Sequence, residues 1–303
     1  MPVSLDCILC LVRQSLEAVR HATDDPALHE QVLRHALALA QERGFTDIPP
    51  VLAQEIQRMV RQVTGNDDPY AAEKQAANRQ MLALADVLRE RITTAARPME
   101  MAVRLAIAGN SIDNALGASL SDEYIRSAID KAIEQPLVGE VATLENAVES
   151  ASSILYLADN CGEIVCDRLL IEEMRRRWPN VPITVVVRGT PVLNDATLAD
   201  AESVGLTDIV PVIDNGNDAV GTVLEQCGPA FRAAFEASDL IISKGLANFE
   251  TLIEYDQESL PQPVVFLFKS KCRFITQLTG TKLGDLVVRY QEGKTICQQA
   301  AIY

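Results

Sequence analysis

From Ser153 onward, short continuous apolar runs alternate with longer stretches of helical period, and no other feature restricts the possible folds as strongly. The runs cover 154–158, 183–187, 208–213, 240–243 and 264–268. Each is apolar throughout rather than at every second position, which is the pattern of a strand covered on both faces. Helical stretches near 164–178, 194–205, 221–237, 249–255 and 273–278 separate them. Strands that alternate with helices return in one direction, so the expected fold is α/β: a doubly wound, mostly parallel, Rossmann-like sheet with right-handed crossovers.

Before residue 150 the texture is different. Apolar residues recur at three-to-four spacing over 7–21, 27–43, 50–63, 71–96, 99–108, 122–134 and 143–150. Breakers such as Asp25-Pro26, Gly44, Pro49-Pro50 and Arg97-Pro98 divide these helices. The expected organisation is therefore an all-helical region over 1–150 followed by an α/β domain over 151–303, joined without a flexible linker. With 303 residues, 48% of them hydrophobic, such a chain buries a core without covalent staples. Its seven cysteines, odd in number and scattered, fit reduced thiols and a cytoplasmic location. A net charge of −15 with no basic stripe argues against a nucleic-acid partner. No run reaches the roughly 18 apolar residues of a membrane span. The start, with an acid at Asp6 and no basic cluster, does not read as a secretory leader. Nothing in the pattern specifies an oligomeric state.

In an open parallel sheet, ligands bind beyond the carboxyl ends of the strands. The first run empties into Asp159-Asn160-Cys161-Gly162-Glu163 and the second into Arg188-Gly189, with Asn194-Asp195 close behind. The third leads to Asp214-Asn215-Gly216-Asn217-Asp218 and then Gly221-Thr222. The fourth gives Lys244-Gly245, with Asn248 and Glu250 beyond, and the fifth gives Lys269-Ser270-Lys271. Any one of these turns reads as a helix N-cap. Capping accounts neither for lysines at strand ends nor for two turns that each pair an asparagine with an aspartate. Hard oxygen donors suit a divalent cation such as Mg²⁺ or Mn²⁺, and lysines beside glycine-bounded helix starts suit phosphate. A carboxylate-held metal next to a phosphate cradle is the equipment of phosphoryl transfer or phosphate-ester hydrolysis.

Other chemistries lack their parts. All three histidines, His21, His29 and His35, lie in the helical region, so the sheet alone cannot build a Ser-His-Asp or Cys-His site. Neither G-x-x-x-x-G-K-S/T nor a G-x-G-x-x-G after the first strand occurs, which disfavours ATP and NAD. The Asp-x-Asp-x-Thr of aspartyl-phosphate enzymes is missing too, which points to attack by metal-activated water.

These residues, taken in order, resemble the DUF89 family, the ARMT1-like damage-control phosphatases, and most closely its shorter archaeal and bacterial members. The motifs that carry the resemblance span nearly the whole chain: Cys7-x-x-Cys10, Gly109-Asn110-Ser111-Ile112-Asp113, Asp159-Asn160-x-Gly162-Glu163, Arg188-Gly189-x-Pro191-x-x-Asn194-Asp195-Ala196-Thr197, Gly221-Thr222, Ser243-Lys244-Gly245-x-x-Asn248-Phe249-Glu250 and Lys269-Ser270-Lys271-Cys272. The resemblance implies a helical part joined to a doubly wound domain, and metal-dependent hydrolysis of phosphorylated metabolites such as sugar phosphates or damaged intermediates. It places the metal ligands on Asp159, Asn160 and Asp195 and the phosphate-handling lysine on Lys269. In the larger eukaryotic relatives the segment around Lys269 reads differently, which leaves Lys271 less firmly assigned.

On this reading one divalent ion (Mg, Mn, Co or Ni) sits on Asp159, Asn160 and Asp195, and a small phosphorylated metabolite is the substrate. Lys244 and Lys269 are expected on phosphate oxygens, with the amides at Gly221-Thr222 as a further cradle. Arg188, Asn110, Asn248 and Glu250 are candidates for substrate contact. Glu163 is either the base that orients water or a first-turn acid favoured by the helix dipole, with Asp167 the alternative base. Cys7 and Cys10 share a helix face, but without a second C-x-x-C they read as core thiols rather than half a zinc site. Two rival functions are an S-adenosylmethionine-dependent carboxyl methyltransferase, for which Asp-Asn-Cys-Gly-Glu is a poor cofactor turn, and a non-catalytic binder of phosphorylated metabolites.

Overall fold

The computed structural model describes residues 4–116, 122–253 and 260–293; over 110–116, 122–126 and 128 it describes backbone alone. Local chemistry sets the helix boundaries. Helix α1 (Leu5–Ala22) starts where the Ser4 side chain accepts the Asp6 amide, and α2 (Pro26–Arg43) where Asp25 caps a first turn begun by proline. Helix α3 (Pro49–Thr64) begins on two prolines and stops at Gly65, whose φ of +66° suits glycine. Leu11, Val19, Val32, Leu39, Ile56 and Val60 join these three helices around a core of their own. Then follow α4 (Ala71–Thr94), α5 (Pro98–Leu116), α6 (Asp122–Ile133) and α7 (Val141–Ser150).

The sheet contains β1 (Leu137–Val138), β2 (Ile154–Leu157), β3 (Ile183–Val187), β4 (Val212–Asp214), β5 (Leu240–Lys244), β6 (Val264–Lys269) and β7 (Leu286–Gln291). Their order is β1-β7-β6-β5-β2-β3-β4, and β7 alone runs antiparallel to its neighbour β6. The chain winds outward through β2, β3 and β4, then recrosses to β5 and winds the other way. The winding therefore reverses between β2 and β5, where an open α/β sheet leaves a crevice. Side-chain parity sorts the two faces. Ile154, Tyr156 and Ile242 pack with α4, α5, α7 and α8 (Glu163–Arg177), while Leu155, Leu157 and Ile241 pack with α10 (Pro229–Ala237) and α11 (Leu246–Leu252). Phe249 of α11 stands edge-on to Phe266, with 5.1 Å between centroids, and stacks on Phe268 at 4.5 Å. Helices α4 and α5 thus cover the sheet directly, whereas α1–α3 sit apart on the carboxyl edge.

The doubly wound α/β fold matches expectation; several boundaries do not. The run at 208–213 yields only β4, because Pro211 has no amide to donate and Ile209 and Val210 close a turn onto Leu206. The helix expected over 194–205 is α9 (Leu198–Ser203), started by a Thr197–Asp200 capping box, and residues before it are held by the strand ends instead. Gly228-Pro229 breaks the stretch 221–237 into a single 3₁₀ turn at 224–226 and α10. Strands β1 and β7 had no sequence forecast: one is two residues long, and the other turns polar at Arg289. The last helix, α12 (Arg273–Thr279), ends on Gly280 with φ +71°. Among the described residues no helix is long and apolar enough to cross a membrane.

The polar contacts of α3 with the loop after β4 centre on one acid. Gln54, Arg58 and Arg61 of α3 all bond the carboxylate of Asp218, in the loop after β4, and Arg61 also reaches the Pro191 carbonyl at 3.1 Å. Burial alone would raise the Asp218 pKa; the bonds from Arg58 and Gln54 outweigh it and hold the group at about 2.

Candidate metal centre

The loops after β2 and β3 are tied to each other by main chain. Asn160 and Asp195 form an antiparallel bridge, with the Cys161 amide donating to the Asn194 carbonyl at 2.8 Å and the Ala196 amide to the Asp159 carbonyl at 2.9 Å. Asp159, Asn160 and Asp195 therefore come together on one rigid piece, all three buried yet lining one cleft. Leu193, just before the second loop's pair, holds a φ of +48°, a strained value for a side chain with a Cβ. Gly245, after β5, makes room from the opposite side. A Cβ there would lie 1.9 Å from Asp159 Oδ2, and its φ is +79°.

Charged side chains fill the space below. Arg188 Nε donates to Asp195 Oδ2 at 2.6 Å, its Nη1 donates to Asn248 Oδ1 at 3.2 Å, and its Nη2 lies 3.7 Å from Asp159 Oδ1. Lys244 is 0% exposed and donates to the Ala106 carbonyl of α5 at 2.7 Å, to Glu163 Oε1 at 2.7 Å and to Asp167 Oδ1 at 2.5 Å. Tyr156 donates its hydroxyl to the same Asp167 oxygen at 2.7 Å. The Asn160 amide nitrogen bonds Asp159 Oδ2 at 2.7 Å and Glu163 Oε2 at 3.3 Å. Gly162, between them, donates its amide to Asn78 Oδ1 of α4 at 2.7 Å, and Asn78 in turn bonds Asp200, the partner of buried Lys74.

Four of the expected substrate contacts are corrected by this packing. Lys244 cannot meet a phosphate, because its three protons are already placed and it has no exposed surface. Arg188 is buried against Asp195 and Asn248, so it holds a ligand loop instead of a substrate. Asn248 spends its amide on the Ala158 and Lys244 carbonyls at the ends of β2 and β5. At Gly221-Thr222 the Thr222 amide goes to Thr251 and its hydroxyl to Asn248, so neither is left for a phosphate, while Gly221 (φ +88°) lets the backbone pass Ala247 closely. Glu163 and Asp167 are buried, and Glu163 has both oxygens engaged, which fits neither as a water-facing base. The Asn110 side chain lies outside the described residues. Cys7 and Cys10 are half-buried in the cleft wall, not in the core.

The cleft, ≈ 420 Å³ in volume, runs from the three ligand candidates to a wall made by α1 and α3. Asp6, Cys7, Cys10 and Arg13 of α1 line it together with Glu250, Lys271 and Cys272. Sequence reasoning ranked Lys269 above Lys271, but Lys271 is the strand-end lysine that lines the cleft. Lys269 is half-buried at the end of β6, its pKa lowered by burial and by Lys271 nearby. Burial alone pushes the Glu250 carboxyl up to about 7. Asn78 and Lys74 gave no local signal, since their partners lie far along the chain.

The donor set fits a hard divalent cation. Two carboxylates and one carboxamide oxygen are the right chemistry, and among the described residues no three His, Cys, Asp or Glu side chains form a competing site. The charge balance agrees. Asp159, Asp195, Glu163 and Asp167 have direct ion-pair contacts with Lys244 and Arg188, while Lys271 and Lys74 act on Asp159 and Asp195 from farther away. Burial first, then Asp195 and Glu163, drive the Asp159 pKa well above its ordinary value, the signature of a carboxylate short of counter-charge.

Known proteins resemble this chain along nearly its whole length. A family model described as damage-control phosphatase ARMT1-like domain matches residues 3–287. The chain is 33% identical to an Archaeoglobus fulgidus protein named damage-control phosphatase, over 96% of this chain and 100% of that one. It is 32% identical to the damage-control phosphatase PH1575 of Pyrococcus horikoshii, over 95% of this chain and 97% of that one. The crystal structure of that Pyrococcus DUF89 family protein superposes with a TM-score of 0.85 at 31% identity, covering 95% of this chain and 98% of the other.

Proposed function

The chain belongs to the ARMT1-like damage-control phosphatase family, and on that premise we propose that it hydrolyses phosphorylated small metabolites with the help of one divalent cation. The observation that carries the proposal is the clasp of Asp159, Asn160 and Asp195, two loops locked by backbone in the same cleft as Lys271. The cation, when bound, lowers the pKa of a water and offsets charge on phosphoryl oxygens. Asp159 and Asp195 supply its carboxylates, and Arg188 keeps the Asp195 carboxylate in one orientation. Lys271, backed by Lys269, meets the phosphate oxygens from the wall. Glu250, with a pKa near neutrality and a place on the cleft wall, holds the proton that the departing alkoxide takes up. A cleft this size admits a sugar phosphate or a comparable small metabolite.

The test uses metal-stripped protein with p-nitrophenyl phosphate and a panel of sugar phosphates, each of Mg²⁺, Mn²⁺, Co²⁺ and Ni²⁺ being added singly. Phosphate release that depends on the metal and disappears in Asp159→Ala and Asp195→Ala is expected. Release that survives both substitutions would overturn the proposal.

A further inference from the structure

We infer that Glu163 is a positioning residue that, together with Asp159, sets which atom of the Asn160 carboxamide faces the cation, and that Lys244 is the charge that holds Glu163 in that duty. The inference rests on the metal-centre reading given above, and its test separates the two.

A carboxamide presents an oxygen on one edge and an NH₂ on the other, and a hard cation accepts only the oxygen. Left alone, an asparagine side chain turns either edge outward at little cost. Asn160 is not left alone. Its amide edge faces Asp159 Oδ2 at 2.7 Å and Glu163 Oε2 at 3.3 Å, and ionised carboxylates only accept hydrogen bonds. The flipped orientation would set the amide oxygen against two carboxylate oxygens. Nδ2 is thereby assigned to the acids, and Oδ1 is the atom left for the cleft.

Glu163 is itself immobilised on three sides. It opens α8 with 3% of its surface exposed. Lys244 takes its other oxygen at 2.7 Å and is anchored in turn by Asp167 and the Ala106 carbonyl. From above, α5 approaches so closely that a Cβ on Gly109 would stand 3.1 Å from the Glu163 Cα and 3.2 Å from its Cγ. The chain Lys244–Glu163–Asn160 thus passes a charge from beneath the sheet edge to the orientation of one ligand atom. Outer-shell carboxylates of this kind tune metal affinity through the ligand they hold.

Glu163→Gln tests it. The new carboxamide has one oxygen, which the Lys244 ammonium claims; its NH₂ then faces the Asn160 NH₂, and this donor–donor contact works against the Asp159 bond that keeps Oδ1 toward the cation. Calorimetric titration of the metal-stripped protein with Mn²⁺ is expected to show affinity falling by about 10–100-fold while circular dichroism stays that of the wild type. Two double variants reverse the loss. In Glu163→Gln with Lys244→Met the net buried charge is unchanged and the oxygen of the new amide is released to Asn160. In Glu163→Gln with Asn160→Asp, donor and acceptor are exchanged across the same contact. Each binds Mn²⁺ more tightly than Glu163→Gln alone, and the second also more tightly than Asn160→Asp alone. Should the Lys244 variant fail to fold, the Asn160 pair decides. A merely structural role predicts that each added change makes binding worse, and that result, or wild-type affinity in Glu163→Gln, overturns the inference. Wild-type protein that binds no divalent cation would instead overturn the metal-centre reading itself.

Discussion

Beneath Asp159 and Asn160, Lys244 has every ammonium proton on an acceptor and Arg188 is locked between Asp195 and Asn248. Across the cleft, Glu250 and the thiols of Cys7, Cys10 and Cys272 are half-buried and Lys271 is exposed, on segments that belong to different cores. The contrast separates two jobs. The floor uses buried, paired charge, which is costly to desolvate but holds atoms in one place. The wall keeps its charges partly hydrated and adjustable, as a surface that selects a ligand must. Its Glu250 carboxyl, raised to about 7 by burial, is tuned by environment rather than by a partner.

The largest effects are expected on the ligands that the floor presents. Asp159→Ala and Asp195→Ala should each cost about 4 kcal/mol of transition-state stabilisation, near 10³-fold in kcat/KM, measured at saturating metal. Next comes the floor itself: Lys244→Met strands Glu163 and Asp167 without a counter-charge and should destabilise the fold by about 3–5 kcal/mol in urea denaturation. A loss below that of an ordinary surface lysine would erase the distinction between floor and wall. On the wall, Lys271→Ala should leave urea stability unchanged and lower kcat/KM by about 10–100-fold, the range of one charge-assisted bond. A larger loss for Lys269→Ala than for Lys271→Ala would move the phosphate contact back to the end of β6.

The smallest effect concerns pH. Folded Glu250 keeps its proton up to about 7, against an ordinary 4.5, so the folded state binds more protons than the unfolded one in that window. Its contribution to stability therefore falls as pH rises from 4.5 to 7. Glu250→Gln removes the slope, and its melting temperature relative to wild type should rise between pH 5 and pH 8. A difference that does not change with pH would show that Glu250 is hydrated like any surface acid.

How much of this the sequence carried depended on the range of the interaction. The alternation of apolar runs revealed the sheet because burial on both faces leaves its mark residue by residue. The neighbourhood of Asp159, Asn160 and Asp195 was legible because a parallel sheet brings its carboxyl ends to one edge. Lys244 was misread for want of one step: Leu240 and Ile242 face the α5 side, and two-residue parity carries Lys244 to the same side, under Ala106. Asn78 was out of reach, since its bond to the Gly162 amide joins residues 84 apart and leaves no local pattern. The inward turn of Arg188 depended likewise on Asn248, 60 residues away.

The backbone bridge between Asn160 and Asp195 also gives the protein a built-in reporter. The Cys161 and Ala196 amides that close it are hydrogen-bonded main-chain groups at buried positions, so their exchange with deuterium requires the two loops to part. Slow exchange of these two protons in metal-stripped protein marks a site assembled before any ion arrives; exchange that slows only on adding Mn²⁺ marks one that the ion itself zips shut.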